Sequence, residues 1–251
     1  MTSGIVVRAA DVRIDHTESG AGVRTVLDTG PGVLGLVRRL VDVPAGSEFG
    51  GVAGVAGELW FVIDGGAELE IGGHPALVLS KDRGLWIPPG SSYRLHSDES
   101  AGLRLDIVAL PAVTLDPGSA ATAAATAAAA DSSTPLTRGL SDCEVERTGD
   151  REFRVLFGPG RGCSVATQFV GHIPPGRAPD HRHPYDEIVL VLQGEGVAHI
   201  GGADHVLSPG TCLHLPPGLV HCLENTGSTP LRVLGVFHPA DSPAAKLDHQ
   251  D

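Results

Sequence analysis

Two short stretches carry the residues best suited to do chemistry. DHRHPYDEIVLVLQGEG, which begins at Asp180, sets His181 and His183 two apart and Glu187 four further on, ahead of an apolar run. GTCLHLPPGLVHCLEN, which begins at Gly210, places His221 three residues after the glycine of a Pro-Pro-Gly turn. Side chains two apart on a strand point the same way, so a regular strand would aim His181, His183 and Glu187 at one face. If the turn brings His221 beside that strand, three imidazoles and one carboxylate converge. Such a mixed nitrogen and oxygen set suits Fe(II), Mn(II), Ni(II) or Co(II), and Zn(II) less specifically. Four protein ligands on an octahedral ion leave positions open, which catalysis requires.

Several neighbours are weaker candidates. His214 precedes the turn, where strand alternation could aim it inward as an acid–base group, with a core or outward histidine about as well supported. Tyr185 has the parity of the ligands and is the other candidate proton shuttle, although a turn residue packing at the mouth of the fold fits it as well. Gln168 and His172 precede the first stretch and could line a pocket or face solvent. Cys212 shares the parity of His214, and Cys222, next to His221, should point away from the metal. Nothing in the sequence marks either thiol as catalytic. His238 falls in a surface turn, and the tail from Ala244 reads as unstructured.

The elements that must hold these residues are strands. The chain has 34 glycines and 19 prolines in 251 residues, which suits a β fold with many turns better than a helical one. A formal charge of −12 with scattered Lys and Arg argues against nucleic acid or an anionic membrane as partner. Twelve histidines are many for this length. Cys143, Cys163, Cys212 and Cys222 lack metal or disulfide spacing and read as free thiols. The start, MTSGIVVRAADVRID, has no basic segment followed by an apolar core, and no apolar run reaches membrane-spanning length. A cytoplasmic protein is expected.

The chain repeats itself. Val43–Pro44–Ala45–Gly46 matches Ile173–Pro174–Pro175–Gly176, Glu58 to Gly65 matches Glu187 to Gly194, and Ile87–Pro88–Pro89–Gly90 matches Leu215–Pro216–Pro217–Gly218. The repeat implies a duplicated all-β domain: residues 1–113, then an Ala/Thr/Ser-rich linker at 114–135, then residues 136–251. In the first copy the strand histidines become Val52 and Gly54, and Tyr93 stands where His221 would be. Glu58 alone persists, and one carboxylate holds a transition metal poorly. The first copy is therefore read as structural. Any pocket it keeps would be lined by Glu58, Trp60, Trp86 and Tyr93.

The two stretches resemble the two motifs of the cupin superfamily. His181, His183, Glu187 and Gly194 fill the first, with Gly176 one residue closer to His181 than the pattern has it. Gly210, Pro216, Gly218, His221 and Asn225 fill the second. The resemblance implies a bicupin, meaning two jelly-roll β-barrels joined by the Ala-rich linker. One divalent transition metal would sit in the C-terminal barrel on His181, His183, Glu187 and His221, with the N-terminal barrel degenerate. Cupin-like proteins are often dimers, so a homodimer is expected.

A small oxygen-rich organic substrate fits such a site. Arg177 and Arg182 are the cations evident near it in sequence, and no phosphate-binding cluster is apparent. The leading expectation is a non-haem dioxygenase, with Fe(II) favoured. The alternatives are redox-neutral isomerisation, lysis or hydrolysis of a carbonyl compound, and a non-enzymatic module that senses a small ligand.

Overall fold

The computed structural model describes residues 4–30, 35–111 and 135–244. They form short antiparallel strands with 3-10 turns at Ala9–Asp11 and Leu140–Asp142. The expected linker lies outside the described residues except for its last residue, Pro135, and the expected tail lies outside them from residue 245. Among the described residues no helix is long and apolar enough to cross a membrane.

The chain divides into two compact units, and their edges differ from the boundaries expected from sequence. One unit comprises Met1–Asp11 and Leu140–Asp251, the other Val12–Gly139. Each copy of the repeat gives up its first strand. Ile5–Arg8 pairs with Thr211–Leu215 in the C-terminal unit, and Thr137–Gly139 pairs with Arg83–Ile87 in the N-terminal one. Both exchanged strands cover a sheet edge whose backbone N–H and C=O groups would otherwise be bare. Local pattern cannot reveal this, because a short apolar strand fits either of two similar edges.

The C-terminal unit is a jelly roll of two sheets. Seven strands lie in the order Ile5–Arg8, Thr211–Leu215, Asp186–Gln193, Leu231–His238, Thr167–Ile173, Arg151–Phe157 and Glu146–Thr148. Four more follow the order Gly176–Arg177, His221–Asn225, Gly196–Ile200 and Ala203–Leu207. Val189, Val191, Leu213 and Leu215 of the larger sheet pack against Ala198, Ile200 and Leu223 of the smaller. Each fully buried Val or Leu there contributes about 1.5–3 kcal/mol. This packing makes one face of Asp186–Gln193 the interior, and Glu187 shares it.

The N-terminal unit repeats the plan. Its main sheet runs Thr137–Gly139, Arg83–Ile87, Glu58–Ile71, Leu103–Ala109, Val37–Val43, Gly22–Asp28 and Asp15–His16. The 14-residue strand Glu58–Ile71 continues past that sheet to pair with Leu77–Ser80 and Ser92–Ser97, and the latter pairs with Glu48–Val52.

Candidate metal centre

The two motifs are joined by backbone hydrogen bonds before any metal is considered. His181 and His221 form a two-way bridge, each N–H donating to the other's carbonyl at 2.9 Å. Gly218, at φ +77°, donates its N–H to the His183 carbonyl at 2.8 Å, so the Pro-Pro-Gly turn docks directly on the His-x-His segment. Asn225, which is buried, closes the second motif by donating to the Ile173 and Thr229 carbonyls, both at 2.8 Å. The regular strand expected across the first motif is broken by a bend at Pro184–Tyr185, and it begins at Asp186. His181 and His183 precede the bend and Glu187 follows it.

Within this frame the imidazoles of His181, His183 and His221 bring their ligand atoms within 4.8 Å of one another. Glu187 Oε2 lies 3.5 Å from His183 Nε2 and 3.4 Å from His221 Nε2. His221 Nε2 and Glu187 Oε2 are buried, and despite this proximity neither makes a hydrogen bond of acceptable geometry. Buried polar atoms are normally partnered, and a cation between these two would satisfy both. The donor set of three nitrogens and one oxygen therefore fits a divalent transition metal. Among the described residues this is the one cluster of its kind.

A second layer fixes which nitrogen faces the centre. His181 Nδ1 lies 3.1 Å from the Pro179 carbonyl, and His221 Nδ1 2.9 Å from the Leu219 carbonyl. A carbonyl can only accept, so both Nδ1 atoms carry the proton and both Nε2 atoms keep a lone pair. Burial holds His181 down to about 4, helped by the charges of its two neighbouring imidazoles, so it is neutral at pH 7. Burial pushes Glu187 up, but His221 and the other imidazoles outweigh this and hold its carboxyl below the usual range. His221 is shifted upward, because Glu187 and the Leu219 carbonyl outweigh the opposing effect of burial.

The cluster opens on a cavity of about 70 Å³ walled by Phe153, Phe169, Leu223, Phe237 and Pro243, with His181, His183 and Glu187 at one end. Arg151 also lines it. This arginine starts the strand Arg151–Phe157, shares the parity of Phe153 and Val155, and donates from Nη2 to the Leu223 carbonyl of the facing sheet at 2.9 Å. Burial pulls its pKa down, and Asp150, Cys222 and Glu187 pull it back up. Sequence reading missed it, because it lies 30 residues before His181 and belongs to neither motif. The period-two pattern of REFRVLF was the available signal. Arg177 and Arg182, the cations evident in sequence, do not line the cavity. Arg177 is instead paired with Asp180 at 3.0 Å and meets the sulfur of Cys222 at 3.4 Å.

The structure sorts the remaining candidates by face. His214 pairs in register with Ile188, whereas Glu187 pairs with Leu215, so His214 lies on the side of the sheet away from the metal cluster. There its Nε2 meets Asp186 Oδ1 at 2.7 Å. Cys212 and the buried Gln168 occupy that same outer side. His172 and Glu152 pair in register and border the cavity, but His172 shares the parity of Gln168 and Glu152 is bound to Arg147 at 2.6 Å, so both side chains lie toward the outer face. Tyr185 is 3% exposed and stands behind His183, with its hydroxyl 3.0 Å from His183 Nδ1. It is not among the cavity-lining residues. His238 ends the last strand beside Asp186.

Residues 169–237 match the cupin domain family, and 99% of the chain superimposes on oxalate decarboxylase from Bacillus subtilis with a TM-score of 0.76 at 14% identity, covering 80% of that chain. Residues 169–237 thus match the cupin domain family, and the chain shares the fold of that solved structure. The chain is also 39% identical over 67 residues to an oxalate-binding protein of Thermotoga maritima, covering 26% of this chain and 55% of that one. It is 30% identical over 107 residues to auxin-binding protein T85 of Nicotiana tabacum, covering 37% and 57%. The chain thus spans a little over half the length of these relatives. The chain has two jelly-roll units, of which the C-terminal one carries the candidate ligand set. In the N-terminal barrel Glu58, Trp60 and Tyr93 come together, while Trp86, paired with Leu59, faces the other side.

Proposed function

We propose that the C-terminal barrel is a divalent-metal enzyme acting on a small carboxylate of oxalate size, with carbon–carbon cleavage to formate and carbon dioxide as its reaction. The observation that carries this reading is Arg151, a guanidinium placed in the wall of a small cavity that also opens on His181, His183 and Glu187. Its bond to Leu223 leaves N–H donors for a carboxylate, and such charge-assisted pairs are the strong ones. His181, His183, Glu187 and His221 would hold the ion. When bound, it supplies Lewis-acid coordination of carboxylate oxygens and one-electron chemistry if it is redox-active. Phe153, Phe169 and Phe237 keep bulk water from the substrate, which strengthens every charge interaction in the cavity.

Cleavage of hydrogen oxalate balances as formate plus carbon dioxide, and the new C–H bond needs a proton held near the substrate. His214 faces away from the cavity, Tyr185 lies behind His183, and His172 and Glu152 alternate to the outer face, so the proton would be the one that hydrogen oxalate itself carries, held beside Arg151. Mn(II) is the first metal to try, since the Bacillus subtilis enzyme has Mn(II) centres. The relatives give no support to a dioxygenase in particular. The ligand set itself leaves room for one as a second reading, with dioxygen oxidising the same carboxylate.

The test is turnover of oxalate by protein reconstituted with Mn(II) or Fe(II), with and without air. Formate and carbon dioxide in equal amounts without net oxygen uptake support the proposal. Oxygen uptake in proportion to turnover moves the oxygenase reading to first place. Calorimetric binding without turnover makes the barrel a ligand-sensing module. Neither binding nor turnover of oxalate, malonate or glyoxylate by metal-loaded protein overturns the carboxylate reading.

A further inference from the structure

The chain does not leave the site at the end of its last strand. Beyond His238, the segment Pro239–Ala244 runs on beside the cavity, with Pro243 in its wall. Ala240 N–H donates to the Val165 carbonyl at 3.0 Å, Ser242 N–H to Asp241 Oδ1 at 2.7 Å, and Ala244 N–H to Ser242 Oγ at 3.2 Å. The Ser242 carbonyl accepts a hydrogen bond of 3.4 Å from the hydroxyl of Tyr185. Tyr185 itself is clamped, with its ring stacked on His183 at 4.9 Å and 11° and packed on Phe237 at 4.6 Å.

Counting protons gives this chain of contacts a direction. A phenol has one proton, and a carbonyl can only accept, so the Tyr185 proton points at Ser242. The Tyr185 oxygen must then accept from His183 Nδ1–H at 3.0 Å. That leaves the lone pair of His183 on Nε2, the atom 3.5 Å from Glu187 and turned toward the cluster. Were the Ser242 carbonyl absent, the hydroxyl could give its proton to Nδ1 instead. Nε2 would then hold the imidazole proton and could not ligate. His181 and His221 have their tautomers set by nearby backbone carbonyls, whereas His183 depends on a residue 59 positions away.

We propose that the C-terminal segment Pro239–Ala244, acting through Tyr185 as a positioning residue, sets the metal-binding tautomer of His183, so that docking of this segment and metal affinity are coupled. The consequence for metal affinity rests on the metal reading above; the tautomer does not.

The experiment compares wild-type protein, Tyr185→Phe, a chain ending at His238, and the two changes combined. In metal-free protein, nitrogen-15 NMR of the imidazoles should show His183 protonated at Nδ1 in the wild type and predominantly or partly at Nε2 in each variant. Mn(II) affinity, read by chelator competition, should fall about 10- to 100-fold in each variant, the usual effect of losing an outer partner of a ligating histidine. The combined variant should lose no more than either alone, because both cut one chain of contacts. Wild-type His183 protonated at Nε2, unchanged affinity in Tyr185→Phe, or additive losses would overturn the coupling. If the wild type binds no Mn(II), Fe(II), Co(II) or Zn(II), the metal reading falls, and the NMR comparison still decides the tautomer. Tyr185→Phe keeps the packing on Phe237, so it remains a sound test should the shortened chain fail to fold.

Discussion

Glu58 and Glu187 occupy matching positions in the two barrels, and their surroundings differ completely. Glu187 looks across at three imidazoles, with one carboxylate oxygen buried and unbonded. Glu58 instead accepts a 2.8 Å hydrogen bond from the indole of Trp60. Trp60 stands where the C-terminal barrel has Val189, and Tyr93 meets its ring edge-on at 4.7 Å in the place of His221. Burial pushes both Glu58 and Tyr93 upward, Tyr93 to about 12. The same strand and the same carboxylate thus make a candidate metal ligand in one barrel and a satisfied core group in the other. Side-chain volume and hydrogen-bond chemistry on the facing strands make the difference.

The largest effects test the ligand set itself. His183→Ala and Glu187→Gln should each abolish metal uptake measured by elemental mass spectrometry, whereas Glu58→Gln should leave it unchanged. The comparison also forecasts a failed graft. Val52→His, Gly54→His and Tyr93→His together should not bind metal while Trp60 holds Glu58, even though a side chain at residue 54 has open space. Adding Trp60→Val should release the carboxylate and permit uptake. If the triple variant binds metal by itself, ligand identity alone decides, and packing by Trp60 is irrelevant.

Next in size is the core cost of that tryptophan. Trp60 is 0% exposed, and Trp60→Ala should destabilise the protein by about 3–5 kcal/mol in denaturant unfolding. A cost below about 1 kcal/mol would mean that the indole is not a structural filler. For Arg151→Ala we expect unchanged metal content and a KM for the carboxylate substrate raised about 10- to 100-fold, as for loss of a hydrogen bond to a charged group. Loss of metal instead would make Arg151 part of the scaffold.

The smallest effect lies on the outer face of the smaller C-terminal sheet. There His199 meets Glu224 at 2.8 Å and Asp204 at 2.7 Å, while the matching N-terminal strand sets Glu70 opposite Arg94. The hydrogen bond to Glu224, followed by that to Asp204, raises His199 above its usual 6.5 despite an opposing desolvation effect. A raised folded pKa adds stability that is fully present below about pH 6.5 and is lost as pH climbs through the raised value. His199→Gln should therefore lower stability on the acid side of that window and not on the alkaline side. Its size should stay under about 1 kcal/mol, since the pair is near solvent and screened. A pH-independent loss would point to packing instead.

Much of the site was legible because ligand chemistry is local in sequence. His181, His183, Glu187 and His221 stand in two short motifs whose glycines and prolines prescribe the turns. The fold class was legible for the same reason, since strand alternation and turn residues recur with the repeat. His181, His183 and Glu187 do not share one regular strand as their parity implies, because a bend at Pro184–Tyr185 sets their directions. His214 was a matter of face, and alternation along one strand does not say which face is inside. That is decided by Leu213 and Leu215 packing against the opposite sheet.

By itself, then, the sequence determined the duplication, the β architecture, the candidate ligand residues and their absence from the first barrel, all of which are written in spacing and residue type. Tertiary structure alone decided that Arg151 reaches the cavity, that Ser242 and Tyr185 stand behind His183, and that the first strand of each repeat completes the other barrel's sheet. These contacts join residues tens to hundreds of positions apart, between segments whose local patterns are compatible with many partners. Only the packing of both sheets around one core selects among them.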